Sequence, residues 1–322
     1  VAVTSRIDEY LRYHTESARC GDIDPSYSML LYLCDRYELN VEQRYWVAWL
    51  YAMSYCGANA FYWYNEFPDY ENVDVGRMRR WWDGGGRYNS LCQTDRRWVR
   101  SSSMLVPAFV SYRDWLGGKT QQEHFSQFDQ ATPEERYDAL YRSASGLHSF
   151  GQFALFLYLE ALHTVTPLDL CPTDLDLSKA WSCRYGLYHA YGLDELIGER
   201  EAKTPPEAVG VTQEKWVELR STLAKLPTPP TVWQTETVLC AYRKWHDGKR
   251  YVGSYIDRQA IEICKMENKV RRGIHWDVLW QYRSETFGRQ YLAEASGNVS
   301  ANGITPTWKD WSVERTKAAL SC

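Results

Sequence analysis

No two of the nine cysteines are spaced Cys-x-x-Cys, and their number is odd. That argues against a disulfide framework or a structural zinc site and fits free thiols in a reducing compartment. Every apolar run is broken by Arg or Asp before it reaches membrane-spanning length, and the start of the chain has no leader-like composition. A soluble, cytoplasmic protein with no membrane partner is expected. The net charge is −4 and the pI about 6.0, so the global basic field that drives non-specific DNA binding is missing. Any contact with nucleic acid must use local patches. Strand-like alternation is scarce and no internal repeat is visible, which predicts a mainly α protein. The 322 residues can bury a full core, as one large domain or two intimate lobes.

What the chain has in excess is aromatic surface, with 15 Trp and 24 Tyr. Such rings fill cores, and they also form stacking surfaces for bases. Two basic patches stand out. Residues 77–100 hold seven arginines against Asp83 and Asp95, and Lys265–Arg272 holds four bases against Glu267. Inside the first, Asp83–Arg87 with its three glycines reads as a mobile turn. It lacks the flanking pattern of a phosphate-binding loop.

Helices are predicted over Ile7–Tyr13 and Tyr27–Arg36, and from Asn40 as a cap into the apolar stretch Tyr45–Glu66. Gly57-Ala58-Asn59 is the expected break in that stretch, and Phe67-Pro68 its end. Thr132-Pro133 opens another helix. Ser143–His163 reads as a short element, a glycine-containing turn and an apolar helix from about Gln152. This resembles a helix-hairpin-helix arrangement, whose turn amides can bind a DNA phosphate near Gly151. The alternative is that Phe150, Phe153 and Phe156 are simply core. A proline-rich connection, a lid or inter-lobe link, surrounds a helix at Thr212–Ala224. Further helices are expected at Ile274–Arg283 and near Trp311–Leu320.

The chain is organised around Thr235–Glu262. A helix carrying Glu236, Cys240, Arg243 and Lys244 runs into an Asp247-Gly248 turn, then the basic piece Lys249–Gly253, then a second helix near Tyr255. Cations, rings and acids within about two helical turns suit an anionic, flat substrate. The plain alternative is an amphipathic hairpin with a solvated rim. Asp174 and Asp176, with Arg184 two turns on, are either a catalytic carboxylate and its partner or helix caps.

Three blocks carry a family resemblance: YWVAWLYAMSYCGANAFYWYNEFPD at 45–69; SGLHSFGQFALFLYLEAL with PTDLDLSKAWSCRYGL across 145–187; and ETVLCAYRKW with KRYVGSYIDRQ across 236–259. Together they resemble the phage amino acid:DNA transferases, also called α-glutamyl/putrescinyl thymine pyrophosphorylases, over most of Val41–Ile263. The resemblance implies a helix-hairpin-helix DNA-glycosylase-like helical fold. The lobes expected are 1–200 and 231–322, joined by the connection at 201–230. It implies thymidine hypermodification in phage DNA within the infected host cytoplasm. A separate 5-hydroxymethyluracil DNA kinase supplies the 5-pyrophosphoryloxymethyl base. The transferase then displaces pyrophosphate with glycine, serine, putrescine or a similar nucleophile.

That chemistry assigns candidate roles. The nucleotide must be flipped out of the stack, and Tyr251 and Tyr255 are the stacking candidates. Lys244, Lys249, Arg250 and Arg258, with Arg184, are the cations for the departing diphosphate. Asp257, Glu236, Asp174 and Asp176 are candidate bases for the incoming amine. Cys240 is either a nucleophile for C6 of the pyrimidine or a buried structural thiol. Arg77, Arg79, Arg80, Arg96, Arg97 and Gly151 are candidate DNA contacts. No protein metal site is expected, although Mg2+ accompanying the pyrophosphate is compatible with the sequence. Two other functions suit the same residues: a glycosylase or lyase acting on a modified base, and a non-catalytic DNA-binding subunit.

Overall fold

The computed structural model describes residues 5–92, 102–199, 203–271, 273–300 and 302–304. Arg96, Arg97 and the helix expected at 311–320 lie outside them. The architecture is mainly helical, as expected. Among the described residues, extended structure is limited to the two-residue strands β1 (Val299–Ser300) and β2 (Gly303–Ile304), paired antiparallel. No described helix is long and apolar enough to cross a membrane.

The first helix, α1 (Arg6–Cys20), starts at Ser5, whose side chain accepts from the Asp8 amide. It runs two turns past the predicted Tyr13 because Ser17 and Cys20 continue the buried face begun by Tyr10 and Tyr13. Gly21 stops it at φ 78°. α2 (Pro25–Arg36) follows, with proline in its first turn.

α3 (Val41–Ser54) begins with a capping box between Asn40 and Gln43 and buries every residue from Tyr45 to Ser54. It is the central helix of the core, with Trp46 and Trp49 stacked at 4.9 Å. The break into α4 (Gly57–Glu66) comes at Tyr55, held at φ 50°, two residues before the expected glycine. Gly57 instead allows the close approach of Met29, whose terminal carbon would lie 2.3 Å from an added Cβ.

The triple glycine lies in a wide helical turn at 82–86, between α5 (Val75–Trp81) and α6 (Arg87–Asn89). Gly85 takes φ 144°, and Gly86 packs under the Trp81 ring. The expected loop is therefore a helical segment with one displaced residue. α7 (Ser102–Leu116), α8 (Gln121–Ser126) and α9 (Pro133–Ala144) lead to the apolar helix α10 (Gln152–Val165), which packs on α3 and α2. Thr132 caps α9 and Pro133 opens it, as predicted.

α11 (Trp181–Tyr191), α12 (Pro206–Leu223) and α13 (Val232–His246) form the next layer. α12 buries Trp216, Leu219 and Leu223 and packs on α11. α14 (Ser254–Lys269) packs on α2 and α4, and α15 (Asp277–Thr286) on α2. Among the described residues α11 and α13 approach backbone to backbone, and Gly186 makes that approach possible. A Cβ there would stand 2.1 Å from the Leu239 carbonyl oxygen. Gly186→Ala should therefore force the two helices apart. A fall in the urea midpoint worth about 1–3 kcal/mol, at unchanged m value, is expected by equilibrium denaturation.

Candidate active site

The helical repeat puts Glu236, Cys240 and Lys244 on one face of α13 at i, i+4 and i+8. That face forms one wall of a cleft of about 1000 Å³. The first turn of α11 (Trp181, Ser182, Cys183) and the start of α10 (Gly151, Gln152, Phe153) close a second side. Tyr137, Asp138 and Tyr141 come from α9, and Asp174 and Asp176 from the 172–180 loop. Lys249 and Arg250 arrive from the turn after α13, and Tyr255 and Arg258 from α14. The volume is at the upper end for a single small-molecule ligand, with room for a nucleotide and a second reactant.

Charge in the cleft is distributed unevenly. Lys179 pairs with Asp176 at 3.0 Å, and Arg243 and Lys249 share Asp247 at 2.8 and 3.3 Å. The Arg258 Nε donates to Glu262 at 2.9 Å. Burial opposes the Arg258 charge, but Glu262, Tyr55 and Tyr255 outweigh it and raise its pKa. Lys244 and Arg250 differ from these four. Both line the cleft, and among the described residues neither has a carboxylate within ion-pairing distance. The Arg250 guanidinium lies 4.3 Å from the centre of the Tyr255 ring, an electrostatically favourable cation–π contact. Arg250 beside a ring and Lys244 near by, neither in an ion pair among the described residues, suit a ligand with a polyanionic group and a flat base.

The floor carries a thiol–carboxylate contact. The Cys183 thiol donates to Glu236 Oε1 at 3.1 Å. Burial raises the Cys183 pKa well above its ordinary value, with Glu236 and Cys240 adding to the effect, so the group stays an S–H donor. The Cys240 Sγ lies 3.2 Å from the Ser182 Oγ. Tyr55 closes the back of the cleft with its hydroxyl donating to Asp24 at 2.9 Å and its ring edge-on to Phe153. Among the described residues, no three His, Cys, Asp or Glu side chains are grouped to hold a metal ion.

The sequence model of the amino acid:DNA transferase family matches residues 18–251, well over half of the chain. The chain belongs to that family. The matched region takes in α13 and the Lys249-Arg250 turn and stops before Tyr255 and Arg258. A serinyltransferase of Salmonella phage ViI is 28% identical over 139 residues, 39% of this chain and 30% of that protein. The chain thus matches less than a third of that relative's length. No solved structure matches.

In this member of the transferase family the cleft gathers Glu236, Cys240, Asp174, Asp176, Lys244, Lys249, Arg250, Tyr255, Arg258 and Gly151 from the residues singled out in the sequence. Asp257, Tyr251 and Arg184 are not among the lining residues. Asp257 is 2% exposed and accepts from the Tyr251 hydroxyl at 2.6 Å. Arg184, fully buried, donates to the carbonyls of Leu177 and Ser178 and so shapes the 172–180 loop. Neither acid of that loop caps α11, whose N-cap is Ala180. Asp174 accepts from the Trp216 indole, and Asp176 from Ser178 and Gln152. Arg77, Arg79 and Arg80 are exposed on α5, away from the lining.

Sequence reasoning missed Cys183, which its burial marks, and Asp22, which no local pattern marks. The Asp22 carboxylate accepts from the amides of Gly253 at 2.7 Å, Tyr255 at 2.8 Å and Ile256 at 3.0 Å. It caps α14 from a site 231 residues away in sequence. Burial pushes its pKa up to about 7, while the Ile256 and Gly253 amides and Arg250 pull it down. Asp22→Ala would leave three amides unsatisfied and free the segment that places Tyr255 and Arg258. The expected cost is about 2 kcal/mol or more in urea unfolding, with a rise in the hydrogen exchange of amides 253–256.

Proposed function

We propose that the cleft transfers an amino acid or polyamine onto 5-pyrophosphoryloxymethyl-deoxyuridine in DNA and releases pyrophosphate. The observation that carries this reading is a cleft in which Lys244, on the same helix face as Glu236, and Arg250, beside the Tyr255 ring, have no carboxylate within ion-pairing distance among the described residues. The target nucleotide is flipped from the duplex, at a cost of a few kcal/mol. Its base lies against Tyr255, with its diphosphate toward Lys244 and Arg250. Family membership supports transfer to DNA, and the name of the phage ViI relative supports an amino acid donor of the serine type.

The reaction is a displacement at the methylene carbon on C5. The amine lone pair forms the new C–N bond as the C–O bond to the diphosphate breaks. The amine proton passes to Glu236, and pyrophosphate leaves against the two cations, whose contribution grows as charge develops on the leaving group. Glu236 takes this part rather than Asp257, because Asp257 is occupied with Tyr251 outside the cleft. Cys240, 3.2 Å from Ser182, acts as cleft wall and not as a nucleophile toward C6. A Mg2+ ion carried in on the diphosphate needs no protein cage of its own.

The test is to incubate the protein with DNA containing the pyrophosphorylated base, as prepared by a 5-hydroxymethyluracil DNA kinase, together with glycine, serine or putrescine. Nucleosides are then resolved by mass spectrometry. A nucleoside carrying the nucleophile, with an equivalent of pyrophosphate, is expected. Abasic sites would point to a glycosylase, and unchanged DNA bound tightly would point to a non-catalytic subunit. Glu236→Gln should lower kcat about 10²–10⁴-fold, and Arg250→Ala about 10²–10³-fold. Cys240→Ala should keep most of the turnover.

A further inference from the structure

We infer that the edge of α14 carrying Arg258, Lys265 and Lys269 is a track for the sugar-phosphate backbone of the DNA strand that carries the target nucleotide, leading from the cleft to Arg87 and Tyr88. At 100° per residue, Tyr255, Arg258, Lys265 and Lys269 fall within about 80° of one another around the helix. The first two line the cleft, and the last two follow in line beyond it. The acids nearby are already engaged. Glu262 on this face is buried against Arg258 at 2.9 Å, and Glu267, on another face, accepts from the Trp280 indole at 3.1 Å. Among the described residues Lys265 has no carboxylate within ion-pairing distance.

At the far end the Lys269 ammonium donates to the carbonyls of Tyr88 and Ser90 at 3.0 and 3.3 Å, which fixes its place. Tyr88 is 68% exposed, more than any other large hydrophobic side chain among the described residues. The Arg87 guanidinium sits 5.0 Å from its ring centre. An exposed ring with a cation beside it is a surface for a base or sugar next to a phosphate. The rise along α14 from Arg258 to Lys269 is about 16 Å, or the axial length of about five nucleotides. The chain as a whole carries −4, so this local row, not a global field, supplies the attraction.

The inference rests on the proposed function only in placing DNA in the cleft, and its test needs no base chemistry. Binding of unmodified DNA of about two helical turns, as duplex and as single strand, is followed by fluorescence anisotropy over a range of salt. The double variant K265E/K269E should bind both forms about tenfold more weakly or worse, with the salt slope reduced by about two. Because Lys269 also anchors residues 88–90, Lys265→Glu alone is the cleaner arm and should reduce the slope by about one. An unchanged slope for Lys265→Glu overturns the track. Weakening with duplex alone also overturns it, since the contacts would then be to the complementary strand. If the wild-type protein binds neither form, the proposed function falls as well; normal wild-type binding with unaffected variants removes the track only.

Discussion

The carboxylate of Asp22 holds the candidate site together. A helix start leaves several amides without partners, and a start buried in the core cannot give them to water. Here the amides of Gly253, Tyr255 and Ile256 all converge on one side chain from the α1–α2 loop. The neighbourhood reinforces the clamp. Gln259 and Tyr282 both donate to the Pro25 carbonyl, and the buried Arg283 donates to the Ile256 carbonyl. Residues 21–25 are thus a fixed point against which the second half of the chain registers, and the directions of Tyr255 and Arg258 follow from it.

The clamp also explains why Tyr255 and Arg258 lie in the cleft while Asp257 does not. In a helix, Asp257 points about 200° away from Tyr255 and about 100° away from Arg258. Once Tyr255 faces the cleft, the acid is turned into the protein, where it meets the Tyr251 hydroxyl. That phase relation was present in the sequence; what it lacked was the knowledge of which face would meet a cavity. The Glu236–Cys240–Lys244 row was legible because its spacing of four holds on any helix. The caps were legible for a similar reason: Asn40 with Gln43, and Thr132 before Pro133, are satisfied within one turn. Asp22 and Cys183 were not, because their partners are fixed by tertiary packing. Arg184 read as a substrate cation because its type suits an anion, yet its length and five donors equally suit the carbonyls of a buried loop.

The electrostatics separate bulk charge from local charge. A chain with a net charge of −4 presents a cleft in which four cations are paired with three acids and, among the described residues, Lys244 and Arg250 are in no ion pair. The paired ones fix geometry: Asp247 draws Arg243 and Lys249 together across the turn that delivers Arg250. Of the two in no ion pair, Arg250 still acts at longer range on the buried Asp22. Composition could only say that any recognition of nucleic acid had to be local; of its two patches, 77–100 and 265–272, no described residue lines the cleft.

The contact of Gly186 with the Leu239 carbonyl has a mechanical consequence. Two helices that touch backbone to backbone cannot slide without climbing over each other's main chain, so α11 and α13 behave as a single slab. Glu236, Cys240 and Lys244 on one helix, and Ser182 and Cys183 on the other, therefore keep their mutual spacing whatever enters. Outside the slab lies the short span 247–253, where Gly248 and Gly253 both sit at positive φ. Glu236 and Lys244 thus stand together on the anvil, while Arg250 is delivered from the turn beside it.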